Sequence, residues 1–139
     1  MTDSRPTIVF ADDNLKVTEM ARAVLGSAYR VVGVAANGEE ALHSILELAP
    51  DFAILDISMP KMDGITVAKQ LRQANSNTLL IFLTVIDTDD YMTAARLVGH
   101  GYVLKRRLST DLARGLEAAR RGLFFSSLDF PQTSHKVIA

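Results

Sequence analysis

The chain has 139 residues, 48% of them hydrophobic and 22% charged, which is enough apolar material for one domain with its own core and too little for two. Fifteen basic residues against sixteen acidic ones leave a net charge of −1, so no overall field draws the chain to nucleic acid or to an acidic surface. The absence of cysteine excludes disulfides and thiolate metal sites and fits a reducing compartment. Residues 1–6 are polar with no apolar stretch behind them, so no secretory signal is visible. No run approaches the ~20 apolar residues of a membrane span. The expectation is a soluble, cytoplasmic protein with no membrane partner.

Residues 7–11 form a first apolar run, read as a strand, that ends in Asp12-Asp13. Residues 14–25 place Val17, Met20, Ala21, Val24 and Leu25 at helical spacing, with Asn14 as the cap and Gly26 as the stop. A valine-rich second strand spans 29–36 and ends at Asn37-Gly38. A helix over 39–48 then repeats Ala41, Leu42, Ile45 and Leu46 on one face, and Pro50 closes it. His43 lies beside that stripe and far in sequence from the acids, so it is read as a structural or surface histidine with no catalytic role.

Residues 52–55 are apolar without helical period, as in a strand buried on both faces, and the run stops at Asp56. Met59-Pro60, Asp63 and Gly64 then signal a turn and a helix start, and Ile65, Ala68 and Leu71 mark a helix to about residue 75. The most apolar run, 79–83, should be a central strand, and it ends in Thr84. Tyr91, Ala94, Ala95 and Val98 share one side of a helix over 88–98. A strand over 101–104 ends in Lys105, and a last helix over 109–121 turns Leu112, Leu116 and Ala119 inward, with Ser109 as cap and Asp111 in its first turn. Arg106 and Arg107 are read as solvated, docking of an acidic partner being the lesser alternative. Phe124 and Phe125 are expected to fold back on a domain of residues 1–125, leaving 126–139 as a tail or linker.

Five strands alternating with five helices, joined by right-handed crossovers, give a doubly wound α/β domain with parallel sheet order 2-1-3-4-5. Ligands bind beyond the carboxyl ends of such strands, where this chain delivers Asp12, Asp13, Asp56, Thr84 and Lys105. An isolated Asp at a strand end is most often only a cap, and a carboxylate there can also be a metal ligand, a nucleophile or both. Convergent carboxylates, however, need a proton or a cation among them. An all-oxygen ligand set suits Mg²⁺ or Mn²⁺ better than Zn²⁺, and a Mg²⁺ with few carboxylates takes phosphate oxygens. Lys105 and the Thr84 hydroxyl add a positive charge and a hydrogen bond, which together equip the site for phosphoryl transfer.

Over residues 7–125 the sequence resembles the receiver domain of two-component response regulators. The resemblance is carried by Asp12-Asp13, by Asp56 with Met59-Pro60-Lys61-Met62-Asp63-Gly64, by Thr84, and by Gly101-Tyr102-Val103-Leu104-Lys105. It is greatest to the subgroup with a C-terminal helix-turn-helix output domain. The resemblance implies a flavodoxin-like (βα)5 three-layer sandwich in which Asp56 is the phosphoacceptor. It further implies that Asp12, Asp13, Asp56 and the Ser58 carbonyl hold Mg²⁺, that Lys105 contacts the phosphoryl group, and that Thr84 and Tyr102 are the switch pair. Such a protein is no enzyme beyond its own Mg²⁺-dependent phosphorylation and dephosphorylation. The implied partner is a sensor histidine kinase. A homodimer through helix 4, strand 5 and helix 5 is an expectation, and DNA would be reached only through an output domain outside this chain. The alternative is a receiver-like binding module that works without phosphorylation.

Three departures from the family pattern stand out. Val85 follows Thr84 where a small residue is common, Leu97-Val98-Gly99 replaces an Ala-Gly-Ala type turn, and Arg106 rather than proline follows Lys105, for which a trans bond is the default.

Overall fold

A computed structural model describes residues 3–128. Residues 1–2 and 129–139, and with them most of the expected tail, lie outside the described residues. The elements are β1 (Thr7–Ala11), α1 (Leu15–Leu25), β2 (Arg30–Ala35), α2 (Gly38–Leu48), β3 (Phe52–Leu55), α3 (Gly64–Gln73), β4 (Leu79–Thr84), α4 (Asp89–Val98), β5 (Gly101–Leu104), α5 (Leu108–Arg120) and β6 (Phe125–Ser126). All strand pairs are parallel and the order is β2-β1-β3-β4-β5-β6. The expected 2-1-3-4-5 order is therefore observed, with one short strand added beyond β5. The expected domain boundary after residue 125 falls inside that added strand.

Alternation along each strand sorts the side chains between two helical layers. Ile8, Phe10, Phe52, Ile54, Ile81, Leu83 and Val103 pack with Val17, Ala21 and Leu25 of α1 and with Leu112, Leu116 and Ala119 of α5. Val9, Ala53, Leu55, Leu80, Phe82, Tyr102 and Leu104 face the other way, onto Ala41 and Ile45 of α2, Ala68 and Leu71 of α3, and Ala95 of α4. β3, β4 and β5 are therefore buried on both faces, which is why their sequences are unbroken apolar runs.

Helix starts follow local chemistry. The Asn14 side chain accepts from the N–H groups of Lys16 and Val17, the Asn37 side chain from Glu40, and the Asp63 side chain from Thr66. The expected cap at Ser109 is not used: α5 begins at Leu108 out of a 3₁₀ turn over Lys105–Arg107, and Ser109 lies inside the helix. Three residues assigned to inner faces point out instead, Met20 (50% exposed), Leu46 (51%) and Tyr91 (44%). Met20 and Leu46 sit at the margins of their apolar stripes, and Tyr91 lies in the exposed first turn of α4. His43 is exposed, as expected, within 3.5 Å of Glu47. No cis peptide bond occurs among the described residues. No described helix is long and apolar enough to cross a membrane.

Phe124 and Phe125 do fold back. Phe124 packs on the α2–α4 side under the Arg96 guanidinium, and Phe125 on the α1–α5 side within reach of Arg114.

Candidate functional site

The carboxyl ends of β1, β3 and β5 meet at one point of the sheet. The Asp12 N–H donates to Ala35 O and the Asp56 N–H to Ala11 O, which fixes both residues at the strand exits. Gly64 lets the start of α3 approach closely, because a Cβ there would overlap the Asp56 carbonyl oxygen. The Gly64 N–H donates to Ile57 O at 2.8 Å and closes the turn.

Three carboxylates gather here: one oxygen each from Asp12, Asp13 and Asp56 lies within 4.8 Å of the others. Asp12 and Asp56 are buried and Asp13 is exposed. The Lys105 ammonium reaches in from the end of β5, 3.0 Å from Asp56 Oδ2 and 2.8 Å from Asp12 Oδ2. It makes a hydrogen bond to the first. Its approach to the second lies off hydrogen-bond geometry, so buried Asp12 Oδ2 has an ionic neighbour and no hydrogen-bond donor. The Ser58 N–H donates to Asp56 Oδ1 at 3.3 Å, and Asp12 Oδ1 accepts from the Asn14 N–H at 2.9 Å.

Burial raises the Asp56 carboxyl above its ordinary value; Lys105 opposes this, while Asp12 adds to it. Burial would lower the Lys105 ammonium, but the close contacts with the Asp12 and Asp56 carboxylates and their negative charge outweigh it, and the net shift is upward. The cluster thus holds three carboxylates against one ammonium, with an undonated buried oxygen among them. That donor set, all oxygen and short of positive charge, fits a divalent cation such as Mg²⁺.

Thr84 and Tyr102, the other two expected site residues, form a second group beside the first. Thr84 ends β4 and pairs in register with Leu104, one residue before Lys105. Its hydroxyl accepts from the Ile86 N–H at 3.2 Å, and the Tyr102 hydroxyl donates to the Ile86 carbonyl. Both side chains therefore grip the backbone of one residue, and among the described residues neither bonds to the acidic cluster. Tyr102 is fully buried, which pushes its phenol up to about 12. Sequence reading missed Ile86 because its part is played by backbone atoms. It also took Asp111 for a helix-dipole acid, whereas that carboxylate is buried and accepts from Arg107 Nε at 3.0 Å and from the Ser127 hydroxyl at 2.8 Å. Arg107 is thus a structural ion-pair partner, while Arg106 stays exposed, 3.5 Å from Asp87. Val85 is 69% exposed at the rim.

Comparison with known proteins gives the same picture. The family model of the response regulator receiver domain matches residues 8–117. The transcriptional regulatory protein YvfU of Bacillus subtilis is 42% identical over 93 residues, covering 66% of this chain and 46% of that protein. The nitrate/nitrite response regulator protein NarL of Escherichia coli is 31% identical over 126 residues, 88% of this chain and 58% of its own length. The chain thus spans about half the length of the curated relatives it matches. Among solved structures, a LuxR-family response regulator from Aurantimonas aligns with TM-score 0.83 at 25% identity over 97% of this chain and 96% of that one. The non-phosphorylated receiver domain of RcsB from Escherichia coli aligns with TM-score 0.80 at 27% identity over 88% and 98%. With the sheet order, the strand-end acids and the matched residues in agreement, the chain belongs to the response regulator receiver domain family of two-component signalling.

Proposed function

We propose that this chain is a phosphoacceptor switch and that Asp56 is the residue modified. The observation that carries the reading is a buried carboxylate at a strand exit with an ammonium 3.0 Å away and two further acids beside it. In the transfer an ionised Asp56 oxygen attacks the phosphorus of a phosphohistidine in a sensor histidine kinase. A P–O bond forms, the P–N bond breaks, and the departing imidazole takes a proton from water. Lys105 favours the attacking, ionised form of Asp56 against the effect of burial, and it balances the charge that arrives on the phosphoryl oxygens. Thr84, one strand away, supplies a hydroxyl for the same oxygens once it leaves Ile86.

Asp12, Asp13, Asp56 and the Ser58 carbonyl would hold Mg²⁺ or Mn²⁺. A divalent cation bound there offsets negative charge shared by the carboxylates and the phosphoryl group. The acyl phosphate adds close to two negative charges at one side chain, an electrostatic change large enough to bias a two-state surface on α4, β5 and α5. YvfU, named a transcriptional regulatory protein, supports transcription as the output, and a dimer through that surface remains part of this proposal. Such a dimer has to include or displace residues 124–128, which cover the β5 edge.

The test is labelling. With acetyl phosphate and Mg²⁺, intact-mass measurement should show one added phosphoryl group on the wild type and none on Asp56→Asn. Equal labelling of the two would refute the assignment, and the same partner affinity with and without phosphodonor would favour a phosphorylation-independent binding module.

A further inference from the structure

The turn from β3 to α3 carries Asp56 and the Ser58 carbonyl, and no residue between Ser58 and Asp63 is buried. Its backbone is strained, since Lys61 holds a φ of 70°, in the left-handed region, without being glycine. Such a conformation lasts only where its surroundings fix it. One support is internal: the Met62 N–H donates to Pro60 O at 2.7 Å. The other comes from outside the acidic cluster, at Gly38, the first residue of α2. The Gly38 N–H donates to the same Pro60 O at 3.3 Å. The two backbones lie so close that a Cβ on Gly38 would overlap the Met62 carbonyl oxygen and stand 2.6 Å from its carbon.

We propose that Gly38 is a positioning residue for the cation site: with no side chain of its own, it lets α2 act as the stop on which the β3–α3 turn rests, and that stop sets where the Ser58 carbonyl lies relative to Asp56. The inference rests on the divalent-cation reading of the acidic cluster above. Of the two parts in contact, α2 is the firmer. The buried Asn37 side chain accepts the Glu40 N–H at 2.9 Å, the Glu40 carboxylate accepts the Ala36 N–H at 3.1 Å, and Ala41 and Ile45 are seated in the core. The turn has no comparable anchor along its exposed stretch. A methyl group at position 38 therefore displaces the turn and leaves α2 in place. Pro60 and Met62 move first and Ser58, close by in the chain, follows, while Asp12, Asp13 and Lys105 stand at the ends of β1 and β5 and keep their positions. Mg²⁺ demands near-ideal octahedral geometry, so a carbonyl out of place is felt as lost affinity.

Calorimetric titration of the full chain with Mn²⁺ tests this without any phosphodonor. Gly38→Ala should raise the Mn²⁺ dissociation constant about tenfold, the low end of what losing a supporting contact does to a metal site. Alanine is the better helix former, so a loss cannot come from a weakened α2. Leu112→Ala, which lowers stability from the α1–α5 side and touches no part of the turn, should keep the wild-type affinity. At saturating Mg²⁺, Gly38→Ala should still take one phosphoryl group from acetyl phosphate, because Asp56 and Lys105 keep their places. In the wild type, where no variant has to fold, Mg²⁺ should slow exchange of the Gly38 N–H, since coupling between the two sites is reciprocal. Wild-type Mn²⁺ affinity in folded Gly38→Ala, an equal loss in Leu112→Ala, failure of Gly38→Ala to label at saturating Mg²⁺, or Gly38 exchange indifferent to Mg²⁺ overturns the positioning role and leaves the cation reading standing. A wild type that takes up no Mn²⁺ overturns that reading, and the role of Gly38 falls with it.

Discussion

α4 and α5 lie on opposite faces of β5 and are attached to it in different ways. α5 buries six of its thirteen residues, with Leu108, Leu112 and Leu116 set among the side chains of β4 and β5. α4 buries one of its ten, Ala95. The rest of its hold on the domain comes from partly buried side chains such as Met92, from Arg96 over the Phe124 ring, and from His100 just past its end. α5 has a deep apolar attachment, to which buried Asp111 adds its bonds with Arg107 and Ser127, while α4 rests on partly buried apolar side chains and the polar contacts of Arg96 and His100. The element flanking the Thr84–Ile86–Tyr102 group is thus the one whose displacement costs least.

The contrast can be broken first by truncation. Leu112→Ala should lower unfolding stability by about 2–5 kcal/mol in a urea titration, the range for a large buried aliphatic side chain, and Met92→Ala by less than about 1 kcal/mol. Similar losses from the two would show that the helices are equally anchored.

The next largest effect concerns pH. His100 Nδ1 accepts the Leu80 N–H at 2.9 Å and the His100 N–H donates to Leu80 O, a two-way link between the α4 exit and the start of β4. Burial, and after it the nearby Arg72 charge, holds this imidazole below its ordinary value of 6.5. A depressed histidine favours the neutral ring in the folded state, so its contribution is whole above pH 6.5 and is lost as the pH falls below that value. Wild type should lose about 1 kcal/mol between pH 7.5 and pH 5 relative to His100→Asn, which keeps an acceptor and does not titrate. Parallel pH profiles for the two proteins would remove His100 as the cause.

The smallest effect is at residues 124–128. Arg96→Gln removes the cation stacked 4.6 Å from the Phe124 ring centroid, and should cost about 0.5–1 kcal/mol with Leu112 packing untouched. No change in the urea midpoint would show that Phe124 alone seats the segment.

The parts of the molecule legible in the sequence are those written in strong local chemistry. Strands buried on both faces stand out as unbroken apolar runs, and acids at their ends are conspicuous because a buried run has no other reason to stop on a charge. Asn14 and Gly26 mark their helix ends by side-chain acceptor and backbone freedom, and both act as expected. The margins of helical stripes were not legible. Met20 and Leu46 satisfy the period, but the twist of the sheet decides how wide a stripe it covers, and Tyr91 satisfies it in a first turn that stays exposed. Ser109 is a good capping residue that lost to geometry, because the 3₁₀ turn after Lys105 already sets the entry to α5. β6 could not be foreseen as a strand, since two residues carry no period and their pairing is set by Asp111 and Ser127. The shared grip on Ile86 was equally invisible, because backbone N–H and C=O groups leave no trace in residue identity.

α1 and α5, far apart in sequence, together complete one outer layer, with Val17, Ala21 and Leu25 meeting Leu112, Leu116 and Ala119 over the same strands. During synthesis, therefore, the layer over Ile8, Phe10 and Ile54 stays half built, with α1 alone in place, until Leu116 has left the ribosome. Until α5 emerges, that layer of the nascent domain is incomplete and leaves part of its apolar surface bare.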